Sequence, residues 1–448
     1  MKFKKAVALG LSATMGLGML AGCGSDGKTE STAAPTALQP STVDTAEEVT
    51  LKVSLWDYSK TQYYKTMIDG FMKKYPNVKV EVTEFDADNY EDVVTTQLSG
   101  KSDLDVVFMK GLPGLSALIE QGHVLALDDL LAADETWDAK AYSGLVEATQ
   151  VDGKTYCVPF RKDNNLIFYN KRIFDEAGVK YPEDGMTMEE YYELAKQVTS
   201  GEGSNKVYGH FTHTWSSNVY MYARRIKEFN QMDTSTYDAL KPYYEVMVKM
   251  QDEGVAMDFG TAKASSAHYR DVFQHEQAAM IQIGTWQINN LLEEEKLTTE
   301  DKITFDWGVC ALPNDKGEGN TTAVGGVTPV AVGAYGKNPQ WAWKFVQYVC
   351  GEEGAKVLAA TGIVPGYNSP AVLDIFDGFA KDYEHCPEGL SKYLDLEEYV
   401  VEQPMVKNGK AASKAFDDQH SAIMTGSVGI DEGIELLKSK VQEQLDVK

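Results

Sequence analysis

The 448-residue chain contains five cysteines and no C-x-x-C pair, which removes the thiolate-metal and redox readings that such spacing supports. Cys157, Cys310, Cys350 and Cys386 are widely separated, so two disulfides and four buried thiols both remain open. Positive charge is scarce: 42 Lys and Arg stand against 67 Asp and Glu, giving a formal net charge of −25. Three of those lysines lie in the first five residues, so the remaining chain is more acidic still. A body with this field is not expected to bind nucleic acid or an anionic lipid surface. No G-x-S-x-G marks a serine hydrolase and no H-E-x-x-H marks a zinc peptidase. Ser99-Gly100-Lys101-Ser102 has Thr95 where a phosphate-binding loop needs glycine. His210 and His213 stand three residues apart without further ligands nearby and read as packing or surface histidines. Long apolar runs are missing after residue 20.

The run before that point sets the location. Lys2, Lys4 and Lys5 precede an apolar stretch, Ala6–Leu20, of signal-peptide length and too short to span a bilayer comfortably. Leu20-Ala21-Gly22-Cys23 supplies the small side chains that let extended backbone enter a signal-peptidase site. An ordinary secretory signal with an incidental cysteine is one reading. Residues 24–48, "GSDGKTESTAAPTALQPSTVDTAEE", hold almost nothing larger than alanine that is apolar. They cannot bury enough surface to offset backbone entropy and are expected to form a leash reaching roughly 25–30 Å.

Beyond the leash the chain is long enough for two domains or one large bilobal body. "EVTLKVSLW" and "PNVKVEVTEF" alternate as strands, "DLDVVFM" suits a buried strand, and Tyr64, Met67, Ile68, Phe71 and Met72 follow helical spacing. The alternation predicts an α/β lobe with a mainly parallel sheet. Further on, Val158-Pro159-Phe160 reads as an extended crossing and Leu166–Tyr169 as a strand. Thr187 and Glu190 form a capping box before Tyr191, Leu194, Ala195 and Val198. Asn338-Pro339 opens a helix with Ala342, Phe345, Val346 and Val349 on one face, and Ile430, Ile434, Leu437 and Val441 mark a C-terminal helix.

Leu20-Ala21-Gly22-Cys23 resembles a bacterial lipobox, in which Cys23 is acylated and becomes the first mature residue. "DGKTYCVPFRKDNNLIFYNKRIFDEAGV", "FQHEQAAMIQIGTW", "WGVCALP" with "GGVTPVAV", and "NPQWAWKFVQYVCGEEGAKVL" follow in an order that resembles the carbohydrate-binding family 1 of extracellular solute-binding proteins of ABC importers. The likeness runs from about Val49 to Leu445. It implies a two-lobe α/β fold of the periplasmic-binding-protein type with hinge crossings and an interlobe ligand cleft. The implied division is a signal peptide at 1–22, a lipid-anchored linker at 23–47, lobe 1 at 48–160 plus 328–368, and lobe 2 at 161–327 plus 369–448. It implies a membrane-anchored monomer on the extracytoplasmic face that hands a mono- or short oligosaccharide to permease subunits, without cofactor, metal or catalysis. A peptide or polyamine ligand on the same fold, and a surface glycoside hydrolase with paired carboxylates, are the alternatives.

A sugar needs aromatic plates for its C–H face and fixed polar groups for its hydroxyls. Trp286, after Gly284-Thr285 at a strand end, stands where the family places a tryptophan against sugar. Asp163 stands at the first crossing, where the family often has a carboxylate, with Arg161, Lys162 and Asn164 beside it. Trp56, Asp57 and Tyr58 follow the first strand at the mouth of a sheet. Met109 and Lys110 match a sugar-contacting loop. Asp86, Trp215 and Tyr367 complete the expected contacts. Gly325 and Gly326 at the second crossing allow close backbone approach, and Phe416 is the aromatic nearest to a C-terminal plate.

Overall fold

A computed structural model describes residues 43–447 apart from 88, 318, 320 and 397; the leader, Cys23 and most of the leash lie outside these residues. Two sheets carry the architecture. The first contains β1 (Val49–Trp56), β2 (Val78–Phe85), β3 (Val106–Phe108), β4 (Val158–Lys162) and a later strand, β10, defined below. The second contains β5 (Asn165–Asn170), β6 (Tyr208–Thr212), β7 (Ala278–Gly284) and β8 (Trp307–Ala311). β9 (Thr322–Gly325) leads through Gly326 into β10 (Val327–Val332), and β9 pairs in parallel with β11 (Glu398–Val401).

The order in the first sheet is β2-β1-β3-β10-β4. β1 lies parallel to β2 and β3, whereas β10 lies antiparallel to β3 and β4. The expectation of a mainly parallel sheet therefore fails. Only the β1–β3 region is built by local strand–helix–strand steps. β10 follows from β9, which pairs with β11 outside both sheets, and enters the first sheet head-on. In the second sheet, ordered β6-β7-β5-β8, β5 is antiparallel to both neighbours and only β6–β7 is parallel.

Local signals become structure where side chains can be buried. Tyr64, Met67, Ile68 and Phe71 are buried along helix Gln62–Lys74, while Met72 is half-buried on its flank. Thr187 and Glu190 make both halves of the capping box on helix Met188–Val198. Helix Pro339–Cys350 buries Trp341, Ala342, Trp343, Phe345, Val346 and Val349. The C-terminal helix Ile430–Leu445 buries Ile434, Leu437 and Val441 but leaves Ile430 partly open. One apolar core forms around the first sheet, from Leu51 and Val53 through Phe160 and Val330 to Val346. Two cores form on the opposite faces of the second sheet, one around Tyr191, Tyr222 and Met280, the other around Phe168, Ile281 and Trp307. Cys157, Cys310, Cys350 and Cys386 are free buried thiols within these cores. Burial pushes the Cys157 and Cys386 thiols up to about 12, which makes them poor nucleophiles. Among the described residues no helix is long and apolar enough to cross a membrane.

The chain passes between the sheets at three places. Asp163 and Asn164 link β4 to β5, and Gly325 and Gly326 link β9 to β10. The third passage, 363–369, is laced to β4: Lys162 N donates to Val364 O at 3.1 Å and Gly366 N to Phe160 O at 2.9 Å. The ends of β1, β3 and β4 and the start of β10 share one edge of the first sheet, by their register. The ends of β6 and β7 and the start of β5 share the corresponding edge of the second.

Candidate functional site

Two cavities meet along these edges and share Glu402 and Gln403. The larger, about 460 Å³, is lined by Trp215, Trp286, Asn165, Lys263 and Asp417 and by the first turn of helix Ser217–Arg225. The smaller, about 120 Å³, lies at the crossings and is lined by Lys110, Asp163, Gly325, Gly326 and Thr328. Together they fall in the size range of small-ligand sites.

The aromatic wall starts at the end of β6. Trp215 is 42% exposed and meets Trp286 edge-on, with ring centroids 6.2 Å apart. His213 backs Trp215 at 4.1 Å, and Tyr269 receives a hydrogen bond from Trp286 Nε1 at 3.0 Å. This bond holds the indole edge in place while leaving ring surface for a ligand. Trp286 also depends on Gly284: a β-carbon there would collide with the six-membered part of the indole. Burial and the neighbouring His268 bring His213 down to about 4, so it stands neutral behind the plate.

Carboxylates share the joined cavities with this wall. Glu402 accepts from Tyr220 OH at 3.0 Å, and its backbone N–H donates to Gly325 O at 2.7 Å. Glu402 Oε2 and Asp163 Oδ2 both border Gly326, at 3.6 and 3.8 Å from where a β-carbon would stand. Burial raises Asp163 to about 6, against the opposing pull of Arg161. Burial raises Glu402 to about 7, offset by bonds from Tyr220 and Ser217 and reinforced by Asp163 and Asp417. Ser216 donates to Asp417, which burial also raises. Lys110 and Lys263 supply cationic donors at opposite ends.

The expected contact residues divide into four groups. Trp286, Trp215, Asp163, Lys110, Gly325 and Gly326 line the joined cavities. Trp56 and Arg161 stand behind them. Trp56 is buried against Tyr90 at 5.0 Å, and the Arg161 guanidinium covers its ring at 5.8 Å while donating to Tyr63 and Thr328, each at 3.0 Å. Asn164 and Met109 serve the frame. Asn164 donates to Tyr393 O at 2.9 Å and accepts from Val324 N at 3.1 Å, and Met109 is fully buried in the first core. Lys162 is buried, which lowers it to about 8, and its ammonium lies 5.9 Å from the Tyr399 ring.

The fourth group lies away from the cavities. Asp57 takes a left-handed turn and pairs with Lys60 at 3.6 Å; Tyr58 packs against the first core; Asp86 sits exposed after β2. Tyr367 turns to the outer side of the third crossing, against Tyr142. Phe416 is fully buried among Tyr220, Phe229 and Tyr237, and it is the next residue, Asp417, that reaches the cavity. His210 is buried and hydrogen-bonded to Tyr191 OH at 2.7 Å, a packing histidine. Glu402, Gln403, Asp417, Lys263 and the Ser216–Asn218 turn escaped the sequence reading. Only the last carried a local signal, small polar residues between the β6 run and an apolar helix.

The sequence profile of bacterial extracellular solute-binding proteins matches residues 58–356. A sugar transporter from Rhizobium etli, solved in an open conformation, superposes with a TM-score of 0.78 at 32% identity, over 89% of this chain and 100% of that one. An ABC substrate-binding protein from Listeria monocytogenes in complex with cycloalternan superposes with a TM-score of 0.73 at 19% identity, over 90% and 100% of the two chains. An ABC transporter extracellular-binding protein from Pyrococcus horikoshii is 26% identical over 175 residues, 38% of this chain and 39% of its own length.

Proposed function

The chain belongs to the bacterial extracellular solute-binding proteins, and from that premise we propose that its solute is a carbohydrate held between two lobes. The carrying observation is that Trp215 and Trp286 share one cavity of about 460 Å³ with Glu402 and Asp417, and that Glu402 also lines the smaller adjoining cavity that holds Asp163. Aromatic faces take the C–H side of a pyranose, and fixed carboxylates and lysines take its hydroxyls. The name of the Rhizobium protein and the cycloalternan bound to the Listeria protein support the same ligand class.

In this reading lobe 1 is 48–160 plus 328–368 and lobe 2 is 161–327 plus 369–448, closing about the three crossings. Asp163 and Glu402 act as hydrogen-bond acceptors and not as an acid–base pair, in keeping with a family of binding proteins. The body is a monomer moored to the extracytoplasmic face of the membrane through acylated Cys23. It passes sugar to an ABC permease powered by a separate ATPase.

The test is a thermal-shift screen of residues 43–448 against sugars, peptides and polyamines. A ligand at a hundredfold excess over its dissociation constant adds about 2.7 kcal/mol of stability. The expected result is a shift with a sugar that Trp286→Ala abolishes. A response confined to peptides or polyamines contradicts the ligand class, and sugar turnover contradicts the binding role.

A further inference from the structure

A second concavity, about 440 Å³, lies on the outer side of the first lobe, away from Glu402 and Gln403. Its walls are Tyr75 at the end of helix Gln62–Lys74, Trp137 ahead of a short 3-10 turn, Tyr348 on helix Pro339–Cys350, and Tyr367 on the third crossing. Trp137 stacks on buried Tyr142 with centroids 5.0 Å apart and planes 26° apart, and Tyr367 stands edge-on to the same Tyr142 at 5.6 Å. Tyr75, Trp137, Tyr348 and Tyr367 are all half-buried, so each leaves ring surface open to the groove. We propose that this groove is an accessory saccharide site, independent of the interlobe cleft.

Three observations converge on that ligand. The floor is aromatic: Tyr75, Trp137, Tyr348 and Tyr367 remain partly exposed around buried Tyr142, which suits the C–H face of a sugar ring. The rim holds both acceptors and donors: Asp138, Glu352 and Lys344 line it, with Glu352 paired to Lys356 at 2.8 Å and Lys74 to Glu353 at 2.6 Å. Lys344 is half-buried, and among the described residues its ammonium has no hydrogen-bond or ion-pair partner. A cationic donor at the groove wall with no protein partner is open to a ligand hydroxyl. Acidic residues outnumber basic ones around the groove, which disfavours phosphate and carboxylate ligands and leaves neutral polyols. The site resembles the cleft in residue type, so this inference rests on the carbohydrate reading for its choice of ligand but not for its location.

The test uses the soluble body labelled with 5-fluorotryptophan, its resonances assigned by single Trp→Phe variants, titrated with maltotriose and mannotriose and with D-mannitol as a ring-free control. The Trp137 resonance is expected to shift saturably in the millimolar range with a trisaccharide and not with mannitol. The shift should persist in Trp286→Ala and disappear in Tyr348→Ala and Lys344→Ala, whose folds are checked by the unchanged resonance of Trp307, buried in another core. A Trp137 resonance unmoved by both trisaccharides overturns the proposal, whether or not Trp286 responds. A shift that vanishes with Trp286→Ala also overturns it, because the signal then comes from the cleft. A moving Trp137 beside a silent Trp286 upholds the groove and counts against the cleft reading instead.

Discussion

The two walls of the cleft are built from different chemistry. On the first-sheet side the aromatic at the end of β1, Trp56, is buried beneath the Lys110 and Arg161 cations, 5.8 Å away in each case, and presents little ring to the cavity. On the second-sheet side Trp215 and Trp286 stand in the cavity itself, with Asp417, Lys263 and the Ser216–Asn218 turn around them. Asp163 sits on the first crossing, and Glu402 follows β11 and is bonded through its N–H to Gly325 at the second. A ligand should therefore rest on the second lobe first, and the first lobe should add polar contacts as it closes. Such an arrangement allows a modest differential affinity to move the open–closed balance.

Removing the aromatic wall is the strongest way to break this asymmetry. Trp286→Ala should cost about 2–3 kcal/mol of sugar binding, some 30–150-fold by calorimetric titration. Gly284→Ala should reproduce much of that loss, since its methyl group displaces the indole. Retained affinity in Gly284→Ala would mean that the observed ring position is not the one sugar uses.

The glycine crossing separates frame from site. A β-carbon at Gly325 would run into the carbonyl of Asp163, whereas one at Gly326 has 3.6 Å or more to the Glu402 and Asp163 carboxylates. Gly325→Ala should destabilise the fold by about 1–3 kcal/mol in urea unfolding. Gly326→Ala should unfold within about 0.5 kcal/mol of the parent yet bind sugar about tenfold more weakly, because the methyl group enters the small cavity.

A gentler probe is pH. Asp163 at about 6 and Glu402 at about 7 are both raised above an ordinary carboxylate, so the folded state holds their protons more tightly than the unfolded chain. Their contribution to stability is complete below about pH 4 and is lost as pH rises through about 6 to 7. The melting temperature of the ligand-free body should fall less across that window in Glu402→Gln than in the parent. The smallest effect is expected from Tyr367→Ala, which faces the outer groove and should change cleft affinity by less than about twofold.

What the sequence disclosed, and what it hid, follows the same division. Alternation and capping were legible because they depend on neighbours in the chain: β1, the Thr187–Glu190 capping box and the helix opened by Pro339 all appear. Trp286, Asp163, Lys110 and Gly326 were legible because they sit directly at strand ends or crossings. Trp56 and Met109 sit at strand ends too, but their apolar surface was taken into the first core. Asn164 was lost to the site because the turning backbone needed its amide. Glu402 and Gln403 were illegible. Their place depends on β11 pairing with β9, some 75 residues away, and no local pattern encodes that pairing. The third crossing has an inner and an outer side, and nothing in "VPGYNSP" says which one Tyr367 takes.

The most direct test of the account is hydrogen–deuterium exchange of the body with and without the sugar found in the thermal screen. The account predicts protection at 214–221, 325–328 and 402–403 together, since one ligand touches all three segments. Bound sugar that leaves these segments unprotected, or protects only 134–142 and 344–353, would contradict capture between the lobes.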